Sequence, residues 1–152
     1  MRNILNENDR QQILARINKV AMDSTRLWGK MDPNEMLCHS ADKIRLALGE
    51  KKSGYNNNVV KSAVLRTLVL WGLPAPKGKV ETFKELKQGE GGTPVTNING
   101  DKEILVEKIN KFVAKPATES LPVHPAFGKM NFDQWGRLIY IHLDHHLKQF
   151  NC

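Results

Sequence analysis

Cysteine is nearly absent from this sequence: two residues in 152, Cys38 and Cys152. Two thiols so far apart make neither a disulfide framework nor a zinc-knuckle spacing, and both read as reduced. The sequence also lacks an apolar run of membrane-spanning or signal-peptide length, and Arg2 to Gln12 is polar. A soluble, cytoplasmic protein without a membrane partner is expected. Period-two alternation of apolar and polar residues, the mark of a half-buried strand, persists nowhere, and no internal repeat occurs. Gly89, Gly91 and Gly92 lie close together but not between a strand and a helix, which excludes a phosphate-cradling loop.

Negative charge is the scarcer sign, since 23 Lys and Arg face 16 Asp and Glu for a net charge of +7. The basic residues are scattered, however. Lys51-Lys52 is the single adjacent pair, and Lys77, Lys79, Lys84 and Lys87 are broken up by Glu81, Glu85 and Glu90. Aromatic residues do not interleave with them, so no nucleic-acid partner is expected. A solvated basic face accounts for the charge.

What is present is helical periodicity over a length that fits one domain, residues 1–152, with one core. Ile13, Leu14, Ile17, Val20 and Ala21 form an amphipathic stripe over 8–22. Asp32, Pro33 and Glu35 are a capping box with proline at the first helical position, so a second helix starts there and runs to Gly49. Val59 to Trp71 predicts a third helix, closed by Gly72 and Pro74-Ala75-Pro76. Asn56-Asn57-Asn58 predicts a turn before it, and a short helix is expected around Glu81 to Leu86. Asp101 is expected to cap a helix carrying Ile104, Leu105, Ile109, Phe112 and Val113, ended by Pro116. The last helix has Asn131 and Gln134 as its box, with Met130 placed to pack on Trp135. The fold class expected is all-α, a four-helix bundle with one extra helix in a long crossover connection.

Three of the five histidines lie on the last helix. His142 and His146 are spaced i, i+4, which stacks both rings on one helix face with Cβ atoms about 5–6 Å apart. They share the stripe of Phe132, Trp135 and Ile139, which looks inward. His39 lies at the margin of the apolar face of the second helix. Burial of three imidazoles without partners costs several kcal/mol, and a shared ion removes that cost. A core histidine satisfied by hydrogen bonds is the alternative for any one of them. His145 points about 100° away from His146 and either lines the mouth of a site or is exposed, exposure being the expected outcome. His124 precedes a proline in an extended segment, as a lid or substrate-contacting residue or as structural packing. His145 and His124 are the candidates for acid–base work. Asp144 and Gln149 are candidates for holding ligand rings or orienting substrate. Cys38 is expected in the core.

Trp28-Gly29-Lys30-Met31 through Met36-Leu37-Cys38-His39, paired with His142-Leu-Asp-His145-His146-Leu-Lys-Gln149-Phe150, resembles the DinB-like (YfiT-type) superfamily of metalloenzymes. His124-Pro125-Ala-Phe127-Gly128 resembles an uncharacterised branch of it. The resemblance spans most of the chain and is weakest from Val59 to Gly100. It implies a bundle with a long crossover, a homodimer, and a divalent metal held by His39, His142 and His146. Gln149 matches a glutamine often found one turn after the last ligand, whereas His145 is outside the general pattern. Some relatives are thiol-dependent transferases or isomerases that use low-molecular-weight thiols.

Three neutral ligands leave a coordination position open, as catalytic sites do. Zinc, nickel, iron and copper all suit three imidazoles. The expected function is therefore a metal-dependent enzyme, a thiol S-transferase or hydrolase acting on a small molecule. The alternative is a non-catalytic metal-binding or stress-response module.

Overall fold

The computed structural model describes residues 1–54, 59–73 and 83–152, together with the backbone but not the side chains of Val59 and Val60. Among the described residues five α-helices form: α1 Glu7–Lys19, α2 Pro33–Leu48, α3 Val59–Leu70, α4 Ile98–Val113 and α5 Phe132–Gln149. A 3-10 turn covers Lys84–Leu86. Among the described residues there is no strand, only an isolated bridge between His124 and Gly128. The expected turn at Asn56–Asn58, the Pro74-Ala75-Pro76 breaker and the start of the Glu81 helix lie outside the described residues.

The central helix is α2. Thirteen of its 16 residues are buried, Ser40, Asp42 and Lys43 among them, so it is enclosed on nearly all sides and not amphipathic in the usual sense. It packs on α4 and α5, and α1 packs on the same two helices. That pairing puts α1 diagonal to α2 in a four-membered bundle, while α3 makes its main contact with α5 as the extra helix. The core between them is closed by Ile13, Ile17, Leu37, Ile44, Leu105, Ile109, Phe112, Trp135 and Ile139, each at most 1% exposed.

Both capping boxes form as the sequence indicates. Asp32 accepts from Glu35 N–H at 2.8 Å while Glu35 accepts from Asp32 N–H at 2.9 Å. Asn131 and Gln134 do the same at 2.8 and 3.0 Å. Each cap satisfies two of the first-turn donors a helix leaves unpaired and fixes the helix phase, so each decides which residues look inward. Gly49 ends α2 in the left-handed conformation, φ 75°, and its N–H bonds back to Arg45 and Leu46.

Helix boundaries differ from expectation in α4 and in α1. The cap of α4 is Asn97, whose side chain accepts from Gly100 N–H at 2.9 Å, so the cap lies four residues before the expected Asp101. Asp101 is instead buried at 2% exposure and takes the Thr96 N–H and hydroxyl, both at 2.9 Å. The Asn99-Gly100 pair, turn-like in isolation, is absorbed into the first helical turn. At the other end α4 stops at Val113, short of Pro116. Helix α1 ends at Lys19, and Ala21 enters a turn closed by Ser24, whose hydroxyl accepts the Ala21 N–H at 2.9 Å.

Candidate metal centre

The α2 cap places His39 two turns into that helix, and the α5 cap places His142 and His146 three to four turns along theirs. Where α2 and α5 pack, the three rings meet, with centroids 5.0 Å apart for His39–His142, 5.0 Å for His39–His146 and 4.5 Å for His142–His146. One ring nitrogen from each lies within 4.8 Å of the others. Tetrahedral coordination at about 2.0–2.1 Å sets nitrogens roughly 3.3–3.4 Å apart, so a small rotation of the rings would seat an ion. His39 and His146 are buried at 4% and 9% exposure and His142 is half-buried, so the open side of the cluster lies at His142.

Hydrogen bonds select the tautomers. His39 Nδ1 lies 3.1 Å from the Leu86 carbonyl oxygen, which only accepts, so Nδ1 carries the proton and Nε2 keeps its lone pair. His146 Nδ1 lies 2.8 Å from Gln149 Oε1. The orientation of that amide is set by its other end, because Gln149 Nε2 donates to the Trp28 carbonyl at 2.7 Å. His146 therefore also presents a bare Nε2. His142 Nε2 lies 3.1 Å from His39 Nε2, so without an ion it donates a proton to that lone pair. Once that proton moves to His142 Nδ1, this is the donor set a divalent ion requires: neutral imidazoles, Nε2 inward, with Nδ1–H of two rings held by oxygen acceptors.

Burial, which disfavours the charged form, pushes all three rings below the usual histidine range. His146 falls to about 3, and the nearby His39 adds to the effect. His142 is lowered well below normal by burial and then by His146 and His39. His39 is lowered by burial against the opposing pull of Leu86. The cluster is neutral at neutral pH and needs no deprotonation to bind a cation.

The remaining expected residues divide. Gln149 stands against His146, 3% exposed. It is packed from behind by Gly29, where φ is 80° and an added Cβ would sit 2.4 Å from Gln149 Nε2. Asp144 does not face the cluster: its carboxylate pairs with Arg16 of α1 at 2.6 Å and with Lys148 at 2.7 Å. His145 is not exposed as expected. It is half-buried, with its ring 5.6 Å from Trp28 and 5.1 Å from His146, both edge-on. His124 is 1% exposed, stacked 4.4 Å from Phe127 and tilted 5.2 Å from Trp135. Its Nε2 lies 2.6 Å from Lys43 Nζ. Cys38 is in the core at 3% exposure, where burial pushes its thiol up to about 12 and removes it as a nucleophile at neutral pH.

Sequence reasoning missed three participants. Lys43 follows His39 at i+4, the spacing that paired His142 with His146, and the same rule would have nominated it. The Leu86 and Trp28 carbonyls carry no sequence signal, since any residue supplies a carbonyl.

No curated protein and no solved structure matches this chain. A family model does, over residues 9–152, and through it the chain belongs to the family described as protein of unknown function (DUF1569).

Proposed function

We propose that this protein is a divalent-metal-dependent enzyme that acts on a small molecule, with His39, His142 and His146 as ligands. The observation that carries the reading is the convergence of bare ring nitrogens: the Leu86 and Gln149 oxygens hold the Nδ1–H groups of His39 and His146, leaving both Nε2 atoms unprotonated, and one ring nitrogen of each of the three histidines lies within 4.8 Å of the others. A histidine that merely filled the core would also have its N–H bonded, but its remaining lone pair would not need to converge with those of two others. The resemblance of the two histidine-bearing segments to DinB-like metalloenzymes supports the same ligand set and a homodimer. Zinc, nickel and iron fit three imidazoles. When bound, such an ion supplies Lewis acidity, lowering the pKa of a thiol or water and polarising a carbonyl.

The chain's own groups divide the remaining work. His142, the half-buried member, marks the approach, and His145, edge-on to Trp28, lies beside His146. His145 is the candidate to hold or move a proton beside a substrate. His124 is turned to Lys43 and is not offered for that role. The reaction class is thiol transfer, with a low-molecular-weight thiol as co-substrate, or hydrolysis.

Deep burial of His39 and His146 favours a second reading, a non-catalytic module whose ion is structural. One experiment separates the two. Metal content and thermal stability are measured on the wild type, on His146→Ala, and on wild type stripped by chelator. Stoichiometric metal in the wild type, lost in the variant with the fold retained, supports the enzyme reading. Unfolding on stripping supports the structural one, and metal-free wild type purified without chelator sinks both.

A further inference from the structure

We propose that His124 holds Lys43 as an uncharged amine beside the histidine cluster, and that this pairing is what lets the cluster accept a dication. The second half rests on the metal-binding reading above; the first does not.

His124 sits in a turn closed by two bonds with Gly128, His124 N–H to the Gly128 carbonyl at 3.0 Å and Gly128 N–H to the His124 carbonyl at 2.9 Å. Inside that turn the N–H groups of Ala126 and Phe127 both point at His124 Nδ1, each at 3.1 Å. A nitrogen that accepts carries no proton, so the neutral ring holds its hydrogen on Nε2. The same contacts exclude the doubly protonated ring. Lys43 Nζ lies 2.6 Å from Nε2, the nitrogen that carries that hydrogen. An ammonium has three donors and no acceptor, and cannot face an N–H donor at that distance. Only the free amine, with its lone pair, completes the bond.

The surroundings agree. Lys43 is 8% exposed. His39 on its own helix, His142 and His146 on α5 and His124 on the connection are the titratable groups coupled to it. The neighbouring Asp42 engages Arg45, Lys51 and Thr93 instead. Burial alone lowers Lys43 to about 8, which still leaves most of it charged at neutral pH, so it is the His124 N–H facing Nζ that requires the free amine. A positive charge at Lys43 would lower the proton affinity of all three cluster rings, and it would repel a dication more strongly still. Kept neutral, Lys43 gives a buried +2 ion a site without a competing cation.

The test uses the full chain. In metal-free protein, nitrogen NMR of labelled histidine reads the His124 tautomer, and a proton on Nε2 with a bare Nδ1 is expected. Zinc affinity is then measured at neutral pH on wild type, Lys43→Met and Lys43→Arg, with melting temperatures recorded alongside. Lys43→Met, which removes no charge, should bind within about threefold of wild type. Lys43→Arg, permanently charged, should bind at least about 100-fold more weakly. A proton on His124 Nδ1, or zinc binding tightened tenfold or more in Lys43→Met, overturns the proposal. Wild type that takes no zinc overturns the metal-binding reading and the dication half with it, and the nitrogen spectrum still decides whether Lys43 is an amine. If Lys43→Arg does not fold, the Lys43→Met affinity and the spectrum decide.

Discussion

His39 Nε2 and His142 Nε2 stand 3.1 Å apart across 103 residues of chain. Two ring nitrogens at that distance share one proton or one ion, and the rest of the site is arranged around that choice. Behind His39 is the Leu86 carbonyl, delivered by the long connection; behind His146 is Gln149, held by Trp28.

The Gln149 support predicts an effect one residue further out. Gly29→Ala puts a Cβ 2.4 Å from Gln149 Nε2 in a left-handed conformation, which costs about 1–2 kcal/mol in backbone terms alone. Displacing the amide frees the His146 ring, and metal affinity should fall about 10–100-fold, as for other losses of a ligand's outer partner. Gln149→Leu should match that loss without the backbone cost. Calorimetric metal titration with parallel melting curves checks both, and unchanged affinity in Gln149→Leu would show that the amide does not position the ring.

Stability of the metal-free protein should decline steeply in mild acid. The folded pKa values of His124 and His146 are lowered to about 2 and about 3, against about 6.5 unfolded. Between those limits the unfolded chain binds protons that the folded chain refuses, so stability falls as pH drops below about 6.5, by up to about 1.4 kcal/mol per pH unit for each ring. Urea midpoints between pH 4 and 7 report it, and His124→Phe should flatten the slope. A pH-independent midpoint would contradict the burial of these rings as neutral groups.

Asp42 tests the fold separately from the site. It is fully buried and receives Arg45, Lys51 and both the N–H and hydroxyl of Thr93, tying α2 to the chain ahead of α4. Asp42→Ala leaves these donors unpaired and should destabilise by about 3–5 kcal/mol. At low temperature the surviving folded fraction should still bind metal stoichiometrically. Loss of binding in that fraction would mean the network also positions His39.

His145→Ala separates substrate contact from metal binding. The ring lies edge-on to Trp28 and His146 but outside the three converging nitrogens. Metal content should stay stoichiometric, while affinity for a small thiol, followed by the absorption of the cobalt-substituted protein, should weaken about tenfold, the scale of one lost contact of roughly 1.4 kcal/mol. Depleted metal in this variant would place His145 among the ligands.

The sequence by itself determined the helices that carry the site and the faces those helices turn inward. Asp32-Pro33 with Glu35, and Asn131 with Gln134, are local chemistry: a cap fixes the phase of its helix, and phase fixes where His39, His142 and His146 point. The i, i+4 spacing of the α5 pair needed nothing more. Tertiary structure alone decided which rings meet, because nothing local sets the crossing of α2 and α5. It also moved Asp144 to Arg16, drew His145 under Trp28, and carried the α4 cap back to Asn97 while Asp101 went to Thr96. Each of these turns on a partner distant in sequence or on competition between neighbouring caps. The same holds for the proton positions, since the partners that choose them are the accepting carbonyls of Leu86 and Trp28, the amide of Gln149 and the donating backbone N–H groups of Ala126 and Phe127, brought into place only by packing.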